Sequence, residues 1–388
     1  MEFFAVVHVS VFFVLVLSLL VTISNLRFIN SLTEYYDHLP ERYSRDLVSI
    51  LIPARNEERS IRECLEALRT QQYDPLEIIV LDDNSTDSTP QIIKSIANAD
   101  ARIRMIYGVV APDGWIGKQW ACEQLYKEAK GKYLLFVDAD TVLAQDTVSA
   151  AVYESRNKGI DLLTVVPQRI ASCVTERILY PFVDWAIFCW MPMTTAHKVK
   201  NPYLSAAFGQ FMLFTRDAYE KIGRHSAIRN NPLDDITLGR IIKKHGLKWM
   251  LMEGIGSVKV NAYPGNVETF KSLSRSIFPV FNYSITVFAM FSIVLLAVGF
   301  IPIYDLVSKL ITSSGNMDIN FISVLSVALI AVSWSVICRK YNHGMWVVVC
   351  YPVSIAIIWL VALYSMISYI FNLTNWKNRK IIKQKIRV

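Results

Sequence analysis

Long apolar segments without charged side chains flank one mixed segment of this chain. Four runs contain no aspartate, glutamate, lysine or arginine: residues 3–26, 277–304, 319–338 and 345–376. A helix needs about 20 apolar residues to cross a bilayer, so each run is long enough to be a membrane span. We predict a transmembrane helix over residues 1–26, a water-soluble domain over 45–275, a transmembrane bundle over 277–376 and a basic tail over 377–388. The first run could instead be a signal peptide, but its length and Glu2 favour a span.

Short β-rich apolar runs alternate with helical periodicity inside the middle segment. The runs lie at residues 47–52, 76–81, 103–107 and 133–137, and they are typical of buried parallel strands. The alternation predicts an α/β fold with a mainly parallel sheet covered by helices on both faces. Ligands bind at the carboxyl ends of the strands in such sheets. The polar clusters PARNE, DDNSTD, GWIGK and DAD all fall at or beside those ends.

Glycine-rich phosphate-binding motifs are missing from these strand ends. The sequence has no G-x-G-x-x-G after a strand and no G-x-x-x-x-G-K-[ST]. A divalent cation held by one or two carboxylates can bind a diphosphate instead. Asp138 and Asp140 follow a strand with the D-x-D spacing that suits such an ion. D-x-D alone is also typical of a capped strand end, but the preceding IIVLDDNSTD segment makes the pattern more specific.

Several segments resemble the inverting family-two glycosyltransferases, which have the GT-A fold. They are ILIPARNEE, IIVLDDNSTDST, YLLFVDADT and LDDITLGRIIKKHG, and the resemblance covers residues 47–275. The segments GWIGKQWA, YLSAAFGQFMLFTRDAYEKIG and the terminal WKNRK are similar to the membrane-anchored branch that includes the carotenoid-acid (diaponeurosporenoate) and hopanoid-associated enzymes. The resemblance implies a GT-A type sheet, a nucleotide-sugar donor with a UDP-sugar favoured, Mg²⁺ or Mn²⁺ as cofactor, and a lipid acceptor.

The resemblance also implies roles for individual residues. Asp140 would bind the metal together with Asp138, which would also contact the ribose or sugar. The other nucleotide-sugar-binding positions would be Pro53, Ala54, Arg55, Glu57, Asp82, Asp83 and Lys118. A carboxylate can accept from base N–H groups and sugar hydroxyls, and Lys118 would meet the diphosphate.

Asp235 would be the catalytic base, as the second acid of a pair ahead of Ile-Thr-Leu-Gly. An inverting transfer needs one base facing an acceptor hydroxyl. A carboxylate acceptor has no proton to lose, and Asp235 would then only orient it. Asp234 could share this role or cap the helix that follows. The pair is Asp-Asp where the family often has Glu-Asp, and Arg224 stands where a glycine is frequent, which leaves a role for His225 doubtful.

Charge outside the spans predicts the orientation of the soluble domain. Arg27, Arg42 and Arg45 follow the first run, and Lys271 and Arg275 precede the second. The positive-inside rule therefore predicts a multi-pass protein of the cell membrane with a cytoplasmic catalytic domain. The tail has six basic residues and no acid, a large part of the net charge of +7. Four full crossings would leave the tail outside, so either the last run is re-entrant, broken near Pro352, or one segment lies along the interface.

One further aromatic segment, residues 178–195, contains Asp184 and two prolines. It is predicted either as an interfacial helix beside the acceptor entrance or as a buried helix.

The six scattered cysteines form no CxxC and are expected to be free thiols. The basic residues adjoin a span, so nucleic acid is not an expected partner.

The predicted activity is the transfer of a single sugar to a membrane lipid acceptor, such as an isoprenoid, a carotenoid or another glycolipid precursor. The alternatives are a processive polysaccharide synthase, which the missing Q-x-x-R-W disfavours, and a non-catalytic membrane scaffold.

Overall fold

The computed structural model describes residues 2–38, 46–263, 265–312, 321–376, 379–380 and 383–387. The predicted domain boundary at residue 45, the basic residues Arg42 and Arg45, and tail residues 377, 378, 381, 382 and 388 lie outside this described part of the chain.

Twelve strands are described. They are β1 (Val48–Ala54), β2 (Leu76–Asp82), β3 (Ile103–Tyr107), β4 (Tyr133–Phe136), β5 (Thr141–Leu143), β6 (Leu162–Val166), β7 (Gln168–Arg169), β8 (Met212–Thr215), β9 (Trp249–Glu253), β10 (Val258–Val260), β11 (Asn375–Trp376) and β12 (Arg379–Lys380).

Fourteen α-helices are described. They are α1 (Glu2–Phe28), α2 (Ile61–Arg69), α3 (Thr89–Ala97), α4 (Gly117–Glu128), α5 (Thr147–Lys158), α6 (Val174–Trp190), α7 (Met193–Lys198), α8 (Arg216–Lys221), α9 (Asp234–Lys244), α10 (Asn266–Val280), α11 (Ile285–Thr312), α12 (Phe321–Lys340), α13 (Trp346–Val349) and α14 (Tyr351–Ile370). Two 3₁₀ helices span Leu32–His38 and His225–Ile228.

A seven-stranded sheet with the order β3-β2-β1-β4-β8-β6-β9 forms the centre of the soluble domain. Its neighbours pair in parallel except on the two sides of β8, which is antiparallel to β4 and β6. Side chains of β1 alternate between the faces: Ile50 and Ile52 pack with the core on the α2 side, and Leu51 packs with the core on the α4 side. The predicted α/β class, a mainly parallel sheet with helices on both faces, is confirmed.

Helix α6 is buried between the soluble domain and the apolar helices. It packs against α1, α10, α12 and α14. Trp185 is 1% exposed and stacks on Trp334 of α12 at a centroid distance of 5.4 Å. Of the two alternatives for residues 178–195, the structure therefore shows the buried helix, because the neighbouring helices cover the aromatic face that the sequence left unpartnered.

Four described helices are long and apolar enough to cross a membrane: Val6–Phe28, Ile285–Lys309, Phe321–Lys340 and Tyr351–Ile370. Two of the apolar runs are not continuous helices. The run at 277–304 contains the end of α10 and a break before α11, where Asn282 and Tyr283 have positive φ angles of 55° and 58°. The run at 345–376 is divided into α13 and α14, with Pro352 in the first turn of α14. A break near Pro352 was among the alternatives that the sequence left open for the last run, whereas the break at Asn282 and Tyr283 was not predicted.

Three of the long helices, α1, α11 and α12, have one end beside the soluble domain and one end remote from it. At the domain end, Lys340 of α12 forms an ion pair with Glu253 of β9. At the remote end, Asp305 of α11 accepts from Ser323 Oγ of α12 at 2.6 Å and lies 3.8 Å from His8 Nε2 of α1. Asp305 is 20 residues beyond the start of α11, or about 30 Å along a helix.

Both ends of the last apolar run lie near residues on the domain side of the bundle. It begins next to His343, which contacts Asp184 of α6 at 2.9 Å. Ile355 of α14 lies deep in the bundle, since a Cβ on Gly299 of α11 would come within 2.8 Å of its Cδ1 atom. The far end of α14 returns to α10, where the Tyr369 hydroxyl donates to the Arg275 carbonyl at 2.8 Å.

Candidate active site

A cavity of about 250 Å³ opens at the carboxyl edge of the central sheet, beyond the ends of β1, β2 and β4. Nine of the ten site residues predicted from the sequence line it: Pro53, Ala54, Arg55, Glu57, Asp83, Lys118, Asp138, Asp140 and Asp235. The parallel strands end at one edge, so segments far apart in the chain contribute to a single site.

Asp82 is the predicted residue that does not line the cavity. Its side chain is 4% exposed, and its Oδ2 atom accepts from the Ser85 backbone N–H at 3.4 Å in the turn after β2. The structure therefore places Asp82 in the turn beneath Asp83, where it shapes the loop, and leaves Asp83 as the acid of this pair at the cavity.

Arg55 and Asp83 connect two neighbouring strand ends at one end of the cavity. The Arg55 Nη1 atom donates to the Asp83 carbonyl at 2.5 Å and lies 3.8 Å from the Asp83 carboxylate. Asn56 has a positive φ of 50°, and its backbone N–H donates to Ser85 Oγ at 2.9 Å. These contacts hold the PARNE and DDNSTD loops together, with carboxylate and guanidinium groups facing the cavity.

Lys118 lies between two carboxylates at the centre of the cavity. Its Nζ atom is 2.8 Å from Asp138 Oδ1 and 3.1 Å from Asp234 Oδ2. Burial by itself lowers the pKa of Lys118, but the two carboxylates raise that pKa well above its usual value. Lys118 is held as a cation at the first turn of α4, which the Ile116 N–H anchors to the Arg229 carbonyl.

The adjacent acids Asp234 and Asp235 begin α9 and differ in their surroundings. Asp234 is not the helix cap that the sequence allowed, since Leu233 occupies that position. Burial raises the pKa of Asp234, but Lys118 outweighs it and the pKa is lowered. Asp235 accepts backbone N–H bonds from Gly209 and Ile236, and burial together with the Asp234 charge raises its pKa to about 7. Asp235 is therefore suited to exchange a proton near neutral pH.

Gly209 permits the close approach of these groups. A Cβ atom at this position would lie 3.2 Å from Lys118 Nζ, 3.4 Å from Asp138 Oδ2 and 3.9 Å from Asp235 Cβ. The missing side chain thus allows the cation, the D-x-D motif and the candidate base to lie around one point. In the sequence, Gly209 was one residue of the segment AAFGQ, and no role was predicted for it.

The wall of the cavity nearest the apolar helices comes from α10 and the segment before it. Tyr263, Ser272, Arg275 and Ser276 line this wall. The buried carboxylate of Glu176 on α6 accepts from the Tyr263 N–H at 2.9 Å and from Thr269 Oγ1 at 3.4 Å, which ties the wall to α6. Sequence reasoning missed these residues; the only available signal was the i, i+3, i+4 spacing of three polar positions ahead of an apolar run.

The donor set fits a divalent cation of the kind that carboxylates and phosphates share. Asp138 and Asp140 both line the cavity, and Mg²⁺ is usually bound through one or two protein carboxylates plus substrate phosphates. No group of three or more metal-ligating side chains occurs among the described residues. The residues present therefore suit an ion that is completed by a bound diphosphate.

His225 and the cysteines lie outside this chemistry. His225 is fully buried, contacts the Tyr219 hydroxyl at 2.6 Å through Nδ1, and has a pKa lowered by burial to about 4. It is therefore a neutral core residue. All six cysteines are free, as predicted.

Solved structures with similar architecture include a mannosyltransferase from Pyrobaculum calidifontis in complex with GDP-Man and Mn²⁺. It is 16% identical, has a TM-score of 0.48, and the match covers 89% of this chain and 99% of that one. Another is the structure of residues 1–349 of TarS from S. aureus in complex with UDP-GlcNAc. It is 14% identical, has a TM-score of 0.41, and the match covers 84% of this chain and 91% of that one.

The similar curated proteins include 4,4'-diaponeurosporenoate glycosyltransferases. The protein of Staphylococcus haemolyticus (strain JCSC1435) is 26% identical over 239 residues, which are 60% of this chain and 61% of that protein. The protein of Staphylococcus aureus (strain MRSA252) is 30% identical over 236 residues, 60% of each chain. The similarity thus spans about 60% of the length of these relatives.

The family match covers most of the site. Residues 49–223 match the family described as Glycosyl transferase family 2. This range includes the ends of β1, β2 and β4, Lys118 and Gly209, whereas Asp235 and the α10 wall follow it. This match shows a family-two glycosyltransferase domain over residues 49–223, within the soluble part of the chain.

Proposed function

We propose that this protein transfers a single sugar from a nucleoside-diphosphate sugar, a UDP-sugar being favoured, to a membrane lipid acceptor with inversion at the anomeric carbon. The observation that carries the proposal is one cavity with nucleotide-binding chemistry at one end and an α10 wall packed on the apolar helix α14 at the other. The names of the curated relatives support an isoprenoid or carotenoid-acid acceptor.

Different residues of the cavity have different roles in an in-line displacement. Arg55 and Asp83 hold the nucleoside, and the cationic Lys118 faces the negative charge that develops on the leaving diphosphate. Asp235, with a pKa of about 7, accepts the proton of an acceptor hydroxyl as its oxygen attacks. A bound Mg²⁺ or Mn²⁺, held by Asp138 and Asp140, would neutralise diphosphate charge.

Two substitutions test the catalytic assignment. In Asp140→Ala and Asp235→Ala, we expect nucleotide-sugar turnover and transfer to fall by at least about 100-fold. Asp217, exposed on α8, offers a matched control, since Asp217→Ala removes a carboxylate away from the cavity. Wild-type turnover in both site variants would contradict the enzyme function and favour the scaffold alternative.

Product length separates single transfer from processive synthesis. We expect membranes that contain the protein, supplied with radiolabelled nucleotide-sugar, to yield short glycolipids that partition into organic solvent. A water-soluble polymer would contradict the proposal. Mass spectrometry of lipid extracts from cells with and without the gene would then identify the acceptor.

Removal of divalent cations tests the metal assignment independently. We expect EDTA to abolish transfer and Mg²⁺ or Mn²⁺ to restore it. In Asp140→Asn, the cation concentration needed for half-maximal nucleoside-diphosphate binding should rise. Undiminished transfer in EDTA would overturn the metal assignment without affecting the assignment of Asp235.

We also propose that the protein is a multi-pass membrane protein with its catalytic domain in the cytoplasm. Basic residues at both flanks of the domain favour this orientation. The contacts at both ends of the last apolar run support a re-entrant α13–α14 segment, so that α1, α11 and α12 would be the only described helices that cross. The basic tail then lies on the same side as the domain.

A further inference from the structure

Residues 383–387 of the tail, here called the tail segment, have two unlike faces. Its three basic side chains are all exposed: Lys383, Lys385 and Arg387. The side chains between them, Gln384 and Ile386, are partly buried. This alternation is typical of an extended backbone with one face packed and one face open. Among the described residues, no carboxylate forms an ion pair with the three cations, so the open face is basic and its charge is not neutralised there.

The end of the tail segment lies at the start of a membrane-length helix. The Arg387 N–H donates to the Tyr283 carbonyl at 2.8 Å, and the Ile285 N–H donates to the Arg387 carbonyl at 2.9 Å. Ile285 is the first residue of the candidate span Ile285–Lys309. Lys383 is four residues away, at most about 14 Å along an extended chain. The basic face therefore lies close to the level at which lipid headgroups would surround the start of α11.

The packed face of the tail segment is attached to the loop that precedes Asp234 and Asp235. Gln384 Nε2 donates to the Asn230 carbonyl at 2.7 Å. Ile386 packs against a cluster of buried apolar side chains from α10, α11 and α14. The tail segment thus joins the apolar bundle to the loop in front of the two acids.

The same loop, residues 229–233, holds the first turn of α4, which carries Lys118. The first carbonyl of the loop accepts from the Ile116 N–H at 2.8 Å, and the third accepts from Gln119 Nε2 at 2.7 Å. The carbonyl between them is the one that Gln384 contacts. Detachment of the tail segment would therefore remove one of three successive contacts that hold this loop between the Lys118 turn and the start of α9.

We propose that the basic face of the tail segment binds the headgroups of anionic lipids, and that this contact keeps the tail segment attached to loop 229–233. Each basic residue near an anionic surface strengthens binding about fivefold. The attached tail segment presents three cations together at the headgroup level, whereas a detached one would first have to be ordered. Anionic lipid therefore favours the attached state. The inference rests on the proposed function only for its effect on the transfer rate.

Hydrogen–deuterium exchange of the full chain in lipid nanodiscs tests the proposal without requiring turnover. The discs contain phosphatidylcholine alone or with about 30 mol% phosphatidylglycerol. We expect phosphatidylglycerol to slow exchange in residues 383–387 and in residues 229–235 by at least about fivefold. High salt should weaken this effect, because it screens charges at the surface. Equal exchange in the two kinds of disc would overturn the proposal.

A charge variant and a matched control test the basic face. The charge variant carries three replacements: Lys383→Gln, Lys385→Gln and Arg387→Gln. The control removes the same charge from exposed positions near the sheet edge where β4 begins, opposite the cavity: Lys127→Gln, Lys130→Gln and Lys221→Gln. We expect the charge variant to lose the effect of phosphatidylglycerol and the control to keep it. Loss in the control would show a general charge effect and overturn the proposal.

Gln384→Ala separates lipid binding from attachment to the loop. The backbone contacts of Arg387 remain in this variant, so phosphatidylglycerol should still slow exchange in the tail segment but no longer in loop 229–233. A loop that still responds would refute the positioning role of Gln384.

Transfer rates separate this proposal from the proposed function. We expect the wild type to transfer sugar faster in discs with phosphatidylglycerol, and Gln384→Ala to lose this difference. If exchange responds to the lipid while the wild type glycosylates no lipid, the headgroup contact stands and the transfer function fails. Equal transfer in both kinds of disc, with exchange that responds, would leave the function intact and refute the control of transfer by the tail segment.

Discussion

At the scale of single residues, the neighbours Asp234 and Asp235 show how position divides chemical roles. Asp234 contacts the Lys118 ammonium, and its pKa is lowered. Asp235 accepts two uncharged backbone N–H donors in the same buried setting, and burial together with the charge of Asp234 raises its pKa to about 7. Two identical side chains therefore differ in proton affinity because one of them has a cation beside it.

The pH dependence of transfer tests the role of Asp235. As a base, Asp235 must be deprotonated, so kcat/KM with a hydroxyl acceptor should rise with pH through about 7 and then level off. Asp235→Asn should lower kcat by roughly 100-fold to 10,000-fold and remove this rise. With a carboxylate acceptor the rise should be much smaller. An unchanged pH profile in Asp235→Asn would contradict the assignment.

Gly209→Ala tests the close approach around Lys118. The added Cβ would lie 3.2 Å from Lys118 Nζ, so the ammonium would have to move from Asp138. We expect at least a tenfold loss of kcat, with a melting temperature within about 3 °C of the wild type, since the change lies at a cavity wall. Wild-type kcat in Gly209→Ala would show that this spacing is not required.

At the scale of elements, α10 is the helix that connects the catalytic cavity with the apolar bundle. One face contributes Ser272, Arg275 and Ser276 to the cavity, and the helix packs extensively on α14. Its first turn is fixed through Thr269 to the buried carboxylate of Glu176 on α6. A shift of α6 would therefore be transmitted to the α10 wall of the cavity.

Glu176→Ala tests this connection. The carboxylate receives bonds from the Tyr263 N–H and the Tyr180 hydroxyl, both at 2.9 Å, and each bond to a charged group contributes about 1.5–3 kcal/mol. We expect the variant to melt several degrees lower and to have a raised KM for the acceptor with little change in KM for the donor. Glu268→Ala, at an exposed position of α10, is the control. Equal changes in both KM values would argue against a specific link to the acceptor wall.

At the scale of the whole molecule, the bundle has a polar contact at each end. Lys340 meets Glu253 at the domain end, and Asp305 meets His8 and Ser323 at the remote end. The described end of the tail returns to the domain side, where the Arg387 N–H donates to the Tyr283 carbonyl at 2.8 Å. This arrangement agrees with the positive-inside rule only if the last apolar run does not cross.

Reporter fusions test the proposed topology. GFP at the C-terminus of the full chain should fluoresce, and alkaline phosphatase at the same place should be inactive, because the tail is predicted to be cytoplasmic. Fusions after Thr312, at the remote end of α11, should give the opposite result. An active phosphatase at the C-terminus would mean that α14 crosses the membrane.

The sequence by itself was sufficient for the local features of this protein. Apolar runs predicted the long helices, and period and turn residues predicted the strands from β1 to β4. Polar clusters at or beside strand ends contain eight of the nine predicted residues that line the cavity, and Asp235 was named from the family resemblance. These features depend on residues that are close together in the chain. The hydrophobic pattern and the turn residues are therefore sufficient to predict them.

The tertiary structure decided what depends on contacts between distant segments. Asp82 is buried in the turn after β2 and does not line the cavity, and Asp234 contacts Lys118. Helix α6 is buried because α1 and α12 pack on it. Arg275 joined the cavity because α14 holds α10 beside the sheet edge, more than 130 residues after the D-x-D motif. No local pattern encodes such placements, because packing of separate elements brings these charges together and sets which of them are paired.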